Sequence, residues 1–103
     1  MTSPLAVAEA DLTRDAFLGG RVLAWQPRHG YRAAMDPVLL AASIEARAGD
    51  SVLELGCGVG VASLCLAARV PGLRLTGVER QADYADLARR NAGDAMQVVT
   101  ADL

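Results

Sequence analysis

The chain has 103 residues, 52% of them apolar, and a formal net charge of −2. That suffices for one small domain with a single core and excludes two. The slightly acidic balance excludes a protein that grips polyanions over its whole surface.

Residues 1–10 have no hydrophobic period and read as a frayed end. Pro4, Glu9 and Asp11 stand where a targeting segment would carry a basic patch ahead of an apolar run, so no such segment is expected. Residues 11–15 are polar. Ala16-Phe17-Leu18 and Val22-Leu23-Ala24-Trp25 flank Gly19-Gly20, the pattern of a β-hairpin, with a loop capping the later fold as the alternative. Residues 26–32 are predicted to form a loop, broken by Pro27 and Gly30. Its local basic group (Arg21, Arg28, His29, Arg32) is either solvated or set against a phosphate or a ligand carboxylate. His29 lacks partners at a metal spacing. Asp36-Pro37 reads as a helix start, with Asp36 as the cap and a place near a ligand as its second reading. Val38, Leu39, Ala42 and Ile44 supply the predicted buried face, and Gly49 ends the helix. The longest apolar stretch, 37–42, is too short to span a bilayer.

Residues 51–55 are predicted to form a buried parallel strand, followed by Gly56-Cys57-Gly58-Val59-Gly60 and an Ala/Leu-rich helix over 61–69. Strand, glycine turn and helix form the first unit of a nucleotide-binding α/β sheet. Gly56 lets the chain leave the strand sharply, Gly58 admits a ligand close to the backbone, and Gly60 opens the helix, whose free N–H groups face a polar ligand. Compared with the dinucleotide fingerprint, the third glycine comes one residue early. Glu54 at the strand end would repel a pyrophosphate and favour a cation. Acid-x-Gly-x-Gly-x-Gly therefore fits S-adenosylmethionine (SAM), with its sulfonium and ammonium, better than NAD; a purely structural turn is the plain alternative. Cys57 fits the turn because it is small. With Cys65 it makes two cysteines, too few for a disulfide framework and wrongly spaced for zinc, so free thiols in a reducing cytoplasm are expected.

Pro71-Gly72 is a turn and 73–78 the second strand. Glu79 follows at its end, about twenty residues after the turn, where a carboxylate accepts hydrogen bonds from both ribose hydroxyls. Residues 82–91 read as an amphipathic helix, with Tyr84, Leu87 and Ala88 inward, stopped by Gly93. Residues 96–101 are the third strand. Asp102 at its end is either an acceptor for an adenine amino group or a surface acid.

The runs Asp15-Ala16-Phe17-Leu18-Gly19-Gly20-Arg21, Gln26-Pro27, 30–42 and 52–60 together resemble the bacterial tRNA1(Val) adenine-N6 methyltransferase-like proteins, which are class I SAM-dependent methyltransferases. The resemblance implies a Rossmann-like, seven-stranded sheet with helices on both faces, of which this chain holds the first three strands. It divides the chain into a hairpin and cover segment, 1–34, and a partial SAM-binding domain, 35–103. Glu54, Gly56, Cys57, Gly58 and Gly60 would line the methionine and ribose part of SAM. Glu79 would hold the ribose and Asp102 the adenine, with Tyr31, Arg32 and Asp36 as a cover over the methionine end. That family positions its target amine with an Asn-Pro-Pro-Tyr-type motif after a fourth strand. No such motif occurs here, so the catalytic residues are expected beyond Leu103. The sole asparagine, Asn91, falls on a helix. The expectation is thus the N-terminal part of a methyltransferase acting on tRNA or another RNA, or on a protein glutamine, inactive alone and open at a sheet edge through which it can self-associate. The alternatives are a SAM-binding module and, more remotely, an NAD-dependent oxidoreductase.

Overall fold

The computed structural model describes residues 9–102. The predicted frayed end therefore lies outside the described residues up to position 8, and Glu9–Asp11 form a single 3-10 turn. Leu103, past which the acceptor-positioning motif is expected, also lies outside the described residues. The apolar run becomes strand β3 (Ser51–Leu55), as the sequence predicts. It pairs in parallel with β4 (Arg74–Glu79), and β4 pairs in parallel with β5 (Gln97–Thr100), in the order β3-β4-β5. Parallel neighbours need crossovers, and helices α2 (Val61–Arg69) and α3 (Ala82–Ala92) supply them. The register sets Glu54 opposite Gly77 and Glu79 opposite Thr100. Both acids thus lie toward the C-terminal edge of the sheet.

Ahead of the sheet come a hairpin, β1 (Leu12–Phe17) and β2 (Val22–Pro27), and helix α1 (Asp36–Ser43). The hairpin is longer than its apolar runs. Polar Thr13 and Asp15 belong to β1 because their side chains find partners: Arg32 donates to both, at 2.8 and 3.1 Å, and Gln26 donates to Asp15 at 2.9 Å. Gln26 and Pro27, predicted as loop, complete β2, and Gln26 is only 1% exposed. Leu12, Val22 and Ala24 of the hairpin share one core with Leu64, Leu66, Leu87 and Ala88 of the crossover helices.

Three predicted features of α1 are corrected. The helix ends at Ser43, not near Arg47, because the Arg69 guanidinium from α2 takes up the carbonyls of Ala41 and Ile44, and Ile44 turns extended. Asp36 is the first helical residue and not the cap: the Met35 carbonyl accepts the first bond, from the Leu39 N–H at 3.0 Å, and no side chain caps this end. The inward face shifts accordingly: Ala41 is buried, Val38 and Ile44 are half-buried, and Leu39 and Ala42, predicted inward, are exposed. Strand β3 is likewise not buried throughout. It is bonded to β4 alone, and Leu53 and Leu55 are 60% and 59% exposed.

Asn91 of α3 ties the parts together. Its side-chain oxygen accepts the Trp25 N–H at 2.7 Å, and its amide nitrogen donates to the Trp25 carbonyl at 3.0 Å and to the Val59 carbonyl at 2.9 Å. The side chain thus bonds the free edge of β2 much as a neighbouring strand would, and also holds the turn that precedes α2. Among the described residues no helix is long and apolar enough to cross a membrane. Asn91→Ala leaves three half-buried backbone groups without these partners. Urea denaturation is expected to show a loss of about 1–3 kcal/mol, carried by the midpoint with an unchanged slope.

Candidate ligand cleft at the end of the sheet

The bend after β3 is held from β4. The Val78 carbonyl accepts two N–H groups, from Gly56 at 2.7 Å and from Cys57 at 3.0 Å. One residue on, Glu79 turns its carboxylate back: Oε1 accepts the Gly58 N–H at 2.9 Å and Oε2 the Gln81 N–H at 2.8 Å. Glu79 is 8% exposed, so both oxygens of a buried acid are satisfied by backbone. Gly58 takes φ +56°, and a Cβ there would meet nothing within 4 Å. Its backbone is bare toward the cleft. Gly60 differs: a Cβ would lie 3.1 Å from Met96 Cε, so this glycine lets α2 close on β5 and α3 instead of lining the cleft.

A cleft of about 550 Å³ opens above the bend. Glu54, the turn from Gly56 to Val59, and Glu79 form its floor; Asp36 and Leu40 of α1, Tyr31 and Tyr84 close its sides. Among the described residues, three carboxylates border it and no Lys, Arg or His does. Burial raises the pKa of Glu54; hydrogen bonds from the Ser63 hydroxyl, at 2.6 Å, and from the Ser63 backbone oppose the shift without cancelling it. Burial, and then the charges of Glu54 and Glu79, push the Cys57 thiol up to about 11. Its Sγ lies 3.7 Å from the Gly58 carbonyl, so Cys57 is a small, protonated filler and not a nucleophile.

The structure brings Glu54, Gly56, Cys57, Gly58, Glu79, Tyr31 and Asp36 to this one cleft. It does not bring Arg32. That side chain faces the hairpin, donating to Thr13, Asp15 and, at 2.7 Å, the Pro27 carbonyl, because the polar residues of β1 need a cation there. Asp102 is exposed and borders a second hollow of about 300 Å³, which shares Gly56 and Glu79 with the cleft. The described residues end there, one short of Leu103, so the catalytic motif expected past that residue falls outside them. Sequence reasoning passed over Ser63 and Gly77, and read Tyr84 only as an inward-facing helix residue. Ser63 was legible as a lone hydroxyl in an apolar helix. Gly77 carried no local signal: a Cβ there would stand 2.8 Å from Cys57 Sγ, a contact that only the fold creates.

A parallel sheet whose leading strand ends in an acid and a glycine turn, beneath a cleft walled by carboxylates, defines a Rossmann-like α/β domain of the methyltransferase class. Residues 34–102 match the family model for the methyltransferase small domain, and the chain belongs to that family. It is 41% identical over 54 residues to the release factor glutamine methyltransferase of Chlorobaculum tepidum, covering 52% of this chain and 18% of that protein. It is 41% identical over 73 residues to the ribosomal RNA small subunit methyltransferase A of Anaeromyxobacter dehalogenans, covering 71% and 24%. A trans-aconitate 2-methyltransferase from Paracidovorax citrulli is 38% identical over 64 residues, covering 62% and 24%. The chain thus spans a quarter or less of the length of these curated relatives.

The raised pKa of Glu54 has a consequence for stability. A carboxyl whose folded pKa exceeds its unfolded one stabilises the fold below the unfolded value, and that contribution is lost as pH rises through the folded value. Glu54→Gln keeps an acceptor for Ser63 and removes the charge. Thermal melts of the ligand-free chain are expected to show E54Q more stable than wild type at neutral pH, with the difference vanishing as pH falls below the ordinary carboxylate range.

Proposed function

We propose that this domain binds SAM in the cleft and is the cofactor half of a methyltransferase acting on an adenine N6 of tRNA. The observation that carries the reading is the charge of the cleft: three carboxylates and no cation around a stretch of bare backbone. Such a wall repels a pyrophosphate and attracts a molecule that is cationic at one end. The residues fit the group. Glu54 would hold the cationic part and Gly58 the length of the ligand. Glu79 would take the ribose diol on the lone pairs left after its bonds to Gly58 and Gln81, since each carboxylate oxygen accepts more than once. Asp102, in the adjoining hollow, would take the adenine amino group, and Tyr31 and Asp36 would close over the methionine end.

Bound SAM supplies a methyl group made electrophilic by its sulfonium. The task of this chain is to fix that donor: the bend is clamped from β4, the Glu54 carboxylate is aimed by Ser63, and the thiol of Cys57 stays protonated and unreactive. An adenine amine is a weak nucleophile, so orienting it accounts for most of the acceleration. Asn91 is engaged with Trp25 and Val59 and is no candidate for that role. We therefore assign acceptor positioning to none of the described residues. The tRNA acceptor rests on the segment 30–42 described above; the names of the relatives, which speak of release factor glutamine, ribosomal RNA and trans-aconitate, define the competing acceptors. With both cysteines buried as free thiols, the proposed compartment is the cytoplasm. A second reading, a binding module that self-associates through β3, is favoured by the exposed Leu53 and Leu55 on that edge.

Titration calorimetry separates these readings. SAM is expected to bind and NAD not. Glu54→Gln is expected to weaken SAM by about ten- to a hundredfold, the value of a hydrogen bond to a charged group. Wild-type affinity should fall as pH is lowered through the raised pKa of Glu54, because the protonated acid no longer attracts a cation, while the E54Q affinity stays flat over that range. Tight NAD binding without SAM binding would overturn the proposal. Robust methylation of unmodified tRNA by the 103-residue chain alone would overturn that assignment.

A further inference from the structure

Between β2 and α1 the chain crosses the side of the cleft as a strap, residues 28–35, with no regular structure over 31–34. Tyr31 and Ala33 of the strap line the cleft. On the hairpin side it is bonded repeatedly. The Ala33 N–H donates to Gln26 Oε1 at 2.6 Å, Gln26 Nε2 donates back to the Ala33 carbonyl at 3.5 Å, and the Arg32 guanidinium holds Thr13, Asp15 and Pro27. Gln26 is almost fully buried, so this anchorage is part of the hairpin itself.

On the α3 side, among the described residues, the strap's hydrogen bonds all fall on one phenol. Tyr84 Oη accepts the Tyr31 N–H at 3.0 Å and donates to the Tyr31 carbonyl at 3.4 Å. Gly30 makes the approach possible. It takes φ +94°, and a Cβ on it would stand 3.0 Å from that same oxygen. The strap is therefore built into the hairpin, continues into α1, and among the described residues is hydrogen-bonded to α3 through a single hydroxyl, whose ring also lines the cleft.

We propose that Tyr84 is the latch that holds the 28–35 strap against the cleft and thereby sets how long a bound ligand is retained. It is a positioning residue and touches no reacting atom. The retention half of the proposal rests on the SAM reading above; the latch itself does not. Loss of the hydroxyl leaves the strap folded on the hairpin, because Gln26 and Arg32 still hold it, and the hairpin stays fixed to α3 through Asn91. What is lost is the tie that closes the wall.

Tyr84→Phe in the full chain tests this. Without ligand, amide hydrogen exchange at Tyr31 is expected to rise about three- to tenfold, the factor that corresponds to one neutral hydrogen bond. The Ala33 amide and those of α2 should not change. In stopped-flow measurements the SAM dissociation rate is expected to rise by a similar factor, with association no slower. Unchanged exchange at Tyr31, or a rise spread evenly over the domain, would overturn the latch. Faster exchange at Tyr31 with unchanged SAM dissociation would overturn its role in retention. If the wild-type chain binds no SAM, the proposed function fails, and the exchange arm alone decides whether the latch exists.

Discussion

The end of β4 governs this molecule. One carbonyl, Val78, and one carboxylate, Glu79, accept three N–H groups from the bend after β3, and these bonds fix the path of a segment that glycine would otherwise leave free. The geometry follows from register: β3 and β4 run parallel with Glu54 beside Gly77, so the chain leaving β3 passes directly over the residues ending β4. Gly77 is part of the same arrangement. Its missing side chain is the space in which Cys57 sits, and Cys57 is the residue that lets the bend lie down on the sheet.

Once the bend is fixed, the charges have little freedom. Glu54 and Glu79 end neighbouring strands, and Asp36 enters from α1, so three carboxylates share one cleft without a basic side chain among them. A protein selected only for stability would avoid this, because a buried carboxyl with a raised pKa opposes folding at neutral pH. The Ser63 hydroxyl relieves part of that cost but does not remove it. An unneutralised negative site kept at a stability cost fits the cationic guest proposed above, and that links the burial of Glu54 to that proposal.

Legibility in the sequence followed the range of the forces involved. Strand β3 and helix α2 were read to the residue, because an apolar run, a glycine bend and an Ala/Leu helix are local signals. Glu54, Gly56, Gly58 and Glu79 of the cleft are legible from strand ends and the turn, Asp36 from the helix start, and Tyr31 from the family resemblance. The misreadings came from tertiary partners. Nothing in residues 44–47 announces that Arg69 will cap α1 at Ser43, and nothing near Arg32 announces that Asp15 will claim it. The roles of Asn91, Gln26 and Tyr84 were invisible for the same reason. Asn91 and Tyr84 bond backbone far along the chain, Gln26 bonds the strap that folds back over it, and such partners leave no period in the sequence.

Those three side chains also explain how so small a core carries a hairpin, a strap and an open strand edge. Burial is limited in a chain of this size, and β3 leaves Leu53 and Leu55 largely in solvent. Beside the shared apolar core, side chains bonded to backbone join the hairpin and strap to the sheet domain: Asn91 to Trp25, Tyr84 to Tyr31 and Arg21 to Ala68. Each such bond fixes two segments at a defined spacing, which apolar contact alone does less sharply. The cleft lies between the segments joined in this way, so its shape depends on polar bonds that can open singly. The fold can therefore loosen one wall of the site while the sheet and its carboxylates stay in place.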